Sequence, residues 1–172
     1  MRLFLGCFLP DHVNAAIDAA YDATYRTEVT ASAGKVSWTD PELRHLTLCF
    51  VGEAEPGPVA ERAAQVLRGF GPRSLTVGSP ATMLNPTALV LPVTGADAVG
   101  TALRAAFAGV GPAATAFSGH VTVGRLRRGV QVPLPERELS VSWTADEVTL
   151  VASHRGPGQA TYEVVERFAL EG

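Results

Sequence analysis

An α+β fold built from two similar lobes is the fold class predicted for this chain of 172 residues, on three observations. Strand-like and helix-like segments alternate irregularly, with hairpin signals between neighbouring strands, which argues against a doubly wound parallel sheet. The order of segments in the first half recurs in the second. One frame, His-aliphatic-Thr-aliphatic, occurs once in each half, as His45-Leu46-Thr47-Leu48 and His120-Val121-Thr122-Val123.

The elements follow in order. An apolar run over 3–9 reads as the first strand, and Pro10-Asp11 is a helix start signal. Over 12–27, Val13, Ala16, Ile17, Ala20 and Tyr21 fall on one stripe, as an amphipathic helix requires. A short strand over 35–38 and a turn at Thr39-Asp40-Pro41-Glu42 lead into the first motif strand, 44–51. Residues 58–70 have helical spacing, with Val59, Ala63, Val66, Leu67 and Phe70 inward. Strands over 74–83 and 88–93 flank a turn at Leu84-Asn85-Pro86-Thr87. In the second half, 95–109 reads as a helix with Val99, Leu103, Ala106 and Phe107 inward, and Phe117-Ser118-Gly119 leads into the second motif strand. Residues 130–139, rich in proline and charge, read as a loop. Strands at 141–143 and 147–152, a turn at Arg155-Gly156-Pro157-Gly158 and a strand over 161–170 complete the chain. The proline and glycine clusters at 53–58 and 109–112 are short enough for ordinary loops, so a single domain over 1–172 is expected.

A hydrophobic fraction of 47% is ample for a core. The longest apolar stretches, such as 102–110, are interrupted and far shorter than the roughly 20 residues that cross a bilayer, so no membrane span is expected. The first ten residues superficially suggest a signal peptide. The run is too short, lacks a small-residue cleavage site and stops at Pro10 and Asp11, so a buried first strand is the expectation. Cys7 and Cys49 lie in apolar strand-like segments and are expected as buried thiols of a cytoplasmic protein. No Cys-x-x-Cys, His-x-x-x-His or carboxylate cluster accompanies the histidines, so no metal is expected. A net charge of −3 argues against a protein that grips many phosphates of a duplex. Any nucleic acid contact is expected to be local, at a chain end or a single nucleotide. The one dense basic stretch is Arg125-Leu126-Arg127-Arg128, directly after the second motif.

In an extended strand the His and Thr of each frame share one face, while the aliphatics point the other way. Two such strands side by side would set two proton-transfer groups around a space lined by two hydroxyls, suited to a phosphate. An imidazole titrates near pH 6.5, so such a pair can hold one ring protonated and one neutral near neutrality. Strict alternation puts Arg125 on the face away from His120, so it reaches that space only if the strand ends, twists or bulges near Gly124. The matching position in the first motif is Phe50, expected in the core. Phe4 and Trp38 are candidates to stack on a nucleobase. Core packing competes for both and is favoured for Phe4. His12 is expected exposed in a first helical turn, and His154 is expected to have a plain loop role.

These residues resemble a known family. The doubled frame, the segment Val36-Ser37-Trp38-Thr39-Asp40-Pro41-Glu42-Leu43-Arg44, the opening Arg2-Leu3-Phe4 with Leu9-Pro10, and the closing Ser153, Gly156-Pro157-Gly158, Tyr162 and Phe168 look like the two-histidine (2H) phosphoesterases. Within them they are most similar to the RNA 2′,3′-cyclic phosphodiesterases, also called 2′-5′ RNA ligase-like proteins. The resemblance implies two pseudo-symmetric lobes of β-sheet with outer helices around a central groove, both His-Thr pairs facing it, and neither metal nor cofactor. It implies hydrolysis of a 2′,3′-cyclic phosphate, at an RNA 3′ end or in a small nucleotide, to a 2′-phosphate. Some members also run a weak ATP-independent ligation in reverse. Carried over, His45 is the proton donor to the departing O3′, and His120 is the proton acceptor that activates water. Thr47 and Thr122 are phosphate ligands, and Arg125 falls where the family often has a phosphate-contacting arginine.

Three departures concern substrate preference more than the reaction. Gly119 stands where proline is common, which is expected to loosen the strand's start. Phe8 stands where an acidic residue is common, and the basic character of some relatives is missing. Two other 2H activities would use the same pairs, on 2′-5′ linked oligonucleotides or on ADP-ribose 1″,2″-cyclic phosphate. A binding module for phosphorylated RNA ends is the reading from another class. Intact His45 and His120 argue against it, because binding alone needs no paired acid and base. The expected partners are RNA 3′ ends or cyclic nucleotides, the expected state is a monomer, and neither duplex nor membrane is expected to bind.

Overall fold

The structure is a computed structural model that describes residues 1–111, 116–127 and 134–172. Among these, ten strands form one antiparallel path, with order β10-β9-β1-β3-β7-β6-β4-β8 and with β2 beside β7 and β5 beside β6. In chain order the elements are β1 (Arg2–Phe8), α1 (Asp11–Ala20), α2 (Ala23–Ala33), β2 (Ser37–Trp38), a 3-10 turn (Pro41–Leu43), β3 (His45–Glu53), α3 (Pro56–Leu67) and β4 (Arg73–Gly78). Then come β5 (Thr82–Met83), β6 (Ala88–Thr94), α4 (Asp97–Ala106), β7 (His120–Arg125), β8 (Ser140–Ala145), β9 (Glu147–His154) and β10 (Thr161–Ala169). The path divides into halves of four strands, and the two motif strands, β3 and β7, meet at its centre. Among the described residues they are joined only at Leu46 and Val121, whereas β1 follows β3 along its whole length. Strands held together at one point are free to splay, so the sheet opens where both motifs begin.

The helices exchange places. α1 lies between β1 and β3 in sequence, yet it packs on β8 of the other half; α4 lies between β6 and β7 and packs on β3 and α3. The aliphatics of both frames, Leu46, Leu48, Val121 and Val123, point into the resulting core with at most 4% exposure. Each such side chain contributes about 1.5–3 kcal/mol of burial, so the frames are anchored from beneath.

Two elements differ from the sequence expectation. The single helix over 12–27 is two helices, broken at Tyr21-Asp22, and the second runs on to Ala33. Asp22 is extended, and its carboxylate accepts the Tyr25 amide at 3.0 Å, a side-chain cap that starts a new helix. The strand over 74–83 splits into β4 and β5, because Pro80 has no amide to continue a ladder. The expected loop over 130–139 has no regular structure at 134–139, and its first four residues lie outside the described ones, as do Arg128 and Pro112. Cys7 and Cys49 are buried free thiols, and burial, with Glu147 adding, pushes the Cys7 thiol up to about 12. Among the described residues no helix is long and apolar enough to cross a membrane.

Candidate active site

Where β3 and β7 splay, a cavity of about 510 Å³ collects His45, Thr47, His120, Thr122 and Arg125. Ser37, Thr39, Leu43, Gly158, Gln159, Ala160 and Tyr162 complete its wall, which holds no carboxylate among the described residues. The two frames meet the cavity alike. The Nδ1–H of His45 donates to the Leu43 carbonyl at 2.8 Å, and that of His120 donates to the Ser118 carbonyl at 2.9 Å. A carbonyl can only accept, so each neutral ring carries its proton on Nδ1 and leaves Nε2 with a lone pair for proton transfer.

The start of each frame is braced. Arg44, 1% exposed, ties β3 to α1, with Nη2 at 2.7 Å from Asp18 Oδ1 and Nη1 donating to Asn14 Oδ1 at 3.4 Å. The amide of Asn14 donates in turn to the carbonyls of Leu9 and Pro41. At β7 the brace is Gly119, whose carbonyl accepts the Val93 amide at 2.9 Å. A Cβ at Gly119 would stand 2.3 Å from the Val93 carbonyl oxygen. Gly119 therefore tightens the start of the strand, contrary to the loosening expected from sequence, because only glycine lets β6 approach so closely.

Arg125 lines the cavity through an irregularity in β7. Val90 of β6 stands opposite Thr122 and Leu89 opposite Gly124, so Val123 is an extra residue in the ladder. Such a bulge shifts the alternation by one position and brings Arg125 to the face of His120 and Thr122. Among the described residues its guanidinium has no carboxylate partner.

Neither aromatic stacking candidate lines this cavity. Trp38 packs over Gly124, where a Cβ would meet its ring at 3.2 Å, with Tyr25 edge-on at 6.3 Å and the Arg26 guanidinium 5.2 Å from its centroid. Its neighbours Ser37 and Thr39 take the cavity side, as alternation in β2 requires. Phe4 is buried and stacks on the His45 ring at 4.7 Å, so its face serves the protein. His12 bonds the Ser142 carbonyl and His154 faces Glu163 at 3.2 Å, both away from the cavity.

Gln159 and Tyr162 were not singled out for the cavity from sequence. Gln159 follows the Gly156-Pro157-Gly158 turn and bonds the Asp40 amide and carboxylate, closing the rim between two segments remote in sequence. Tyr162 begins β10 and sits edge-on to His45 at 5.2 Å and 87°. Its neighbourhood in the closing segment was the available signal.

His45 does not keep the ordinary histidine value. Burial pushes His45 below the ordinary histidine value, its bond to the Leu43 carbonyl opposes this, and the charges of His120 and Arg125 push it further down. Burial raises the Tyr162 phenol, with Arg125 opposing. No group of three or more His, Cys, Asp or Glu side chains among the described residues is placed to hold a metal ion. The arrangement sets two imidazoles, the hydroxyls of Thr47 and Thr122 and the Arg125 guanidinium around one cavity.

No family model and no curated protein sequence matches this chain. Solved structures do match it. TT0787 of Thermus thermophilus superposes with a TM-score of 0.80 at 26% identity, covering 100% of this chain and 99% of that one. A protein described as a phosphoesterase gives 0.79 at 24% identity, covering 99% and 98%. LigT of E. coli, crystallised with phosphate, gives 0.75 at 22% identity, covering 99% and 98%. These likenesses show that the chain has the fold of these proteins, the LigT-like fold, which turns its two His-Thr frames into one cavity.

Proposed function

We propose that this protein is a metal-independent phosphodiesterase that opens 2′,3′-cyclic phosphates, at RNA 3′ ends or in small nucleotides, to 2′-phosphates. One observation carries the reading: two imidazoles, each locked with Nε2 free, share a cavity with Thr47, Thr122 and Arg125, and among the described residues no carboxylate stands on its wall. A pure binding site has no need of two such proton carriers.

The geometry supports the following course. Thr47 and Thr122 donate to the nonbridging oxygens, and Arg125 adds a charge-assisted and bidentate contact. His120 Nε2 takes a proton from water as its oxygen bonds to phosphorus. The P–O3′ bond breaks, and His45 Nε2 gives its proton to O3′. Each proton transfer contributes roughly 10²- to 10⁴-fold. The direction of the pair, donor at His45 and acceptor at His120, follows the family resemblance, since the Nδ1 bonds of the two rings are alike. LigT has been crystallised with phosphate and with 3′-AMP, and ligands of that kind fit this wall of donors.

Turnover of a panel of substrates in excess EDTA tests the reading: nucleoside 2′,3′-cyclic phosphates, oligoribonucleotides with that end, 2′-5′ linked dinucleotides and ADP-ribose 1″,2″-cyclic phosphate. We expect 2′,3′-cyclic substrates to be turned over fastest, to 2′-phosphates. Faster turnover of another member would redirect the activity within the superfamily, binding without turnover would make the protein an RNA-end binder, and loss of activity with EDTA would make it metal-dependent.

A further inference from the structure

His45 and His120 make the same hydrogen bond in unlike surroundings. Phe4 stacks on the His45 ring at 4.7 Å and 25°, Tyr162 meets it edge-on at 5.2 Å, and Phe8 leans on it at 5.7 Å and 52°. Phe4 and Tyr162 also pack on each other at 5.3 Å. Gly6, between the two phenylalanines on β1, keeps that strand tight against the motif strand, since a Cβ there would stand 2.5 Å from the Leu46 carbonyl oxygen. Among the described residues no aromatic ring packs against His120.

Few charged or titratable groups face His45. β7 contributes His120 and Arg125, β10 contributes Tyr162, and the turn before β3 contributes the Leu43 carbonyl. β1 contributes only rings. Among the described residues no carboxylate stands by to stabilise an imidazolium, and an apolar slot disfavours the charged form.

We propose that Phe4, Phe8 and Tyr162 are positioning residues that hold the His45 imidazole in an apolar slot, where it stays neutral until an anion enters the cavity and a proton from solvent joins Nε2. The unoccupied enzyme then keeps its donor discharged, and the substrate's own phosphate charges it. For its consequence in turnover this rests on the phosphodiesterase reading, but the coupling of anion binding to proton uptake does not.

Nuclear magnetic resonance of the imidazole groups tests the slot without turnover, with sulfate as the anion because it stays a dianion from pH 5 to pH 9. The free protein is expected to show His45 titrating below the ordinary value of about 6.5, with sulfate raising the midpoint. Sulfate affinity should fall about tenfold for each pH unit between the free and bound midpoints. Phe8→Leu and Tyr162→Leu should each move the free midpoint up, while Tyr162→Phe, which keeps the ring, should restore it. A free midpoint at or above the ordinary value, no response to sulfate, or leucine variants that titrate as the parent does would each overturn the proposal. The sulfate response of the unaltered protein stands even if a variant fails to fold. Absence of turnover on every cyclic phosphate would sink the proposed activity and leave this test untouched.

Discussion

Arg125 enters the cavity through one extra residue in a ladder, and its guanidinium is the only formal positive charge on the wall among the described residues. A hydrogen bond to a charged partner is worth about 1.5–3 kcal/mol, so Arg125→Ala should lower kcat/KM on a 2′,3′-cyclic nucleotide by roughly ten- to a hundredfold. Arg125→Lys should recover only part of this, because an ammonium cannot form the bidentate contact. Full activity of the lysine variant would show that a point charge suffices. His45 carries a consequence for stability. Its value is depressed by folding, so as pH falls below about 6.5 the unfolded chain takes a proton that the folded chain does not. The His45 contribution is thus present above that pH and is lost as pH falls through the lower folded value. Urea midpoints between pH 7 and pH 5 should drop more steeply in the parent than in His45→Gln, and parallel curves would contradict the slot. The His-Thr faces are legible in the sequence because period-two alternation needs only local residues. Arg125 is legible only through the resemblance and the proviso of a bulge near Gly124, because alternation alone points it to the other face and the bulge resets that alternation. Trp38 and Phe4 do not line the cavity: a ring's identity does not say which surface it covers, and the core packing favoured for Phe4 from the sequence is what the structure shows.

Among the elements, β3 and β7 decide the site, since they touch at Leu46 and Val121 and diverge from there. Gly119 holds β7 to β6 at that point. Gly119→Ala would drive a methyl into the Val93 carbonyl, and strain of this kind costs about 1–3 kcal/mol. We expect a lower urea midpoint together with reduced turnover. An unchanged midpoint would mean that β6 can retreat and that the close approach is incidental. Most strands are readable from their apolar runs, and α3 and α4 from stripes such as Val59, Ala63 and Leu67. The break between α1 and α2 is hidden because Tyr21 continues the stripe of α1 while its neighbour Asp22 caps the next helix. β5 separates from β4 at Pro80, where the single strand expected over 74–83 loses its ladder. Gln159 is invisible for another reason: its partner Asp40 is brought to it only by folding.

At the scale of the molecule, the exchange of helices between the halves implies that neither half keeps its core alone. We therefore propose that residues 1–172 form one domain that unfolds in a single transition, with circular dichroism and tryptophan fluorescence coincident in urea. Two separated transitions would make the lobes independent. For the proposed RNA-end substrate, the charge balance sets the expected mode of binding. With a net charge of −3 overall and one guanidinium on the wall of the cavity, contact with one or two phosphates is expected. Single strands lose affinity with salt at a slope of about −0.7 per phosphate, so log K against log salt should have a slope near −1. A slope several times steeper would reveal an extended track. The central claim is that two histidines move two protons around one phosphate. Its most direct test is single-turnover hydrolysis of a 2′,3′-cyclic nucleotide by His45→Ala and by His120→Ala, each shown to be folded by its urea midpoint. A slow-leaving and an activated leaving group at the O3′ position should be compared. The account predicts losses of roughly 10²- to 10⁴-fold in each variant on the unactivated substrate, with the activated leaving group rescuing His45→Ala far more than His120→Ala. Near-normal hydrolysis by either variant would contradict the two-histidine mechanism, and preferential rescue of His120→Ala would reverse the two roles.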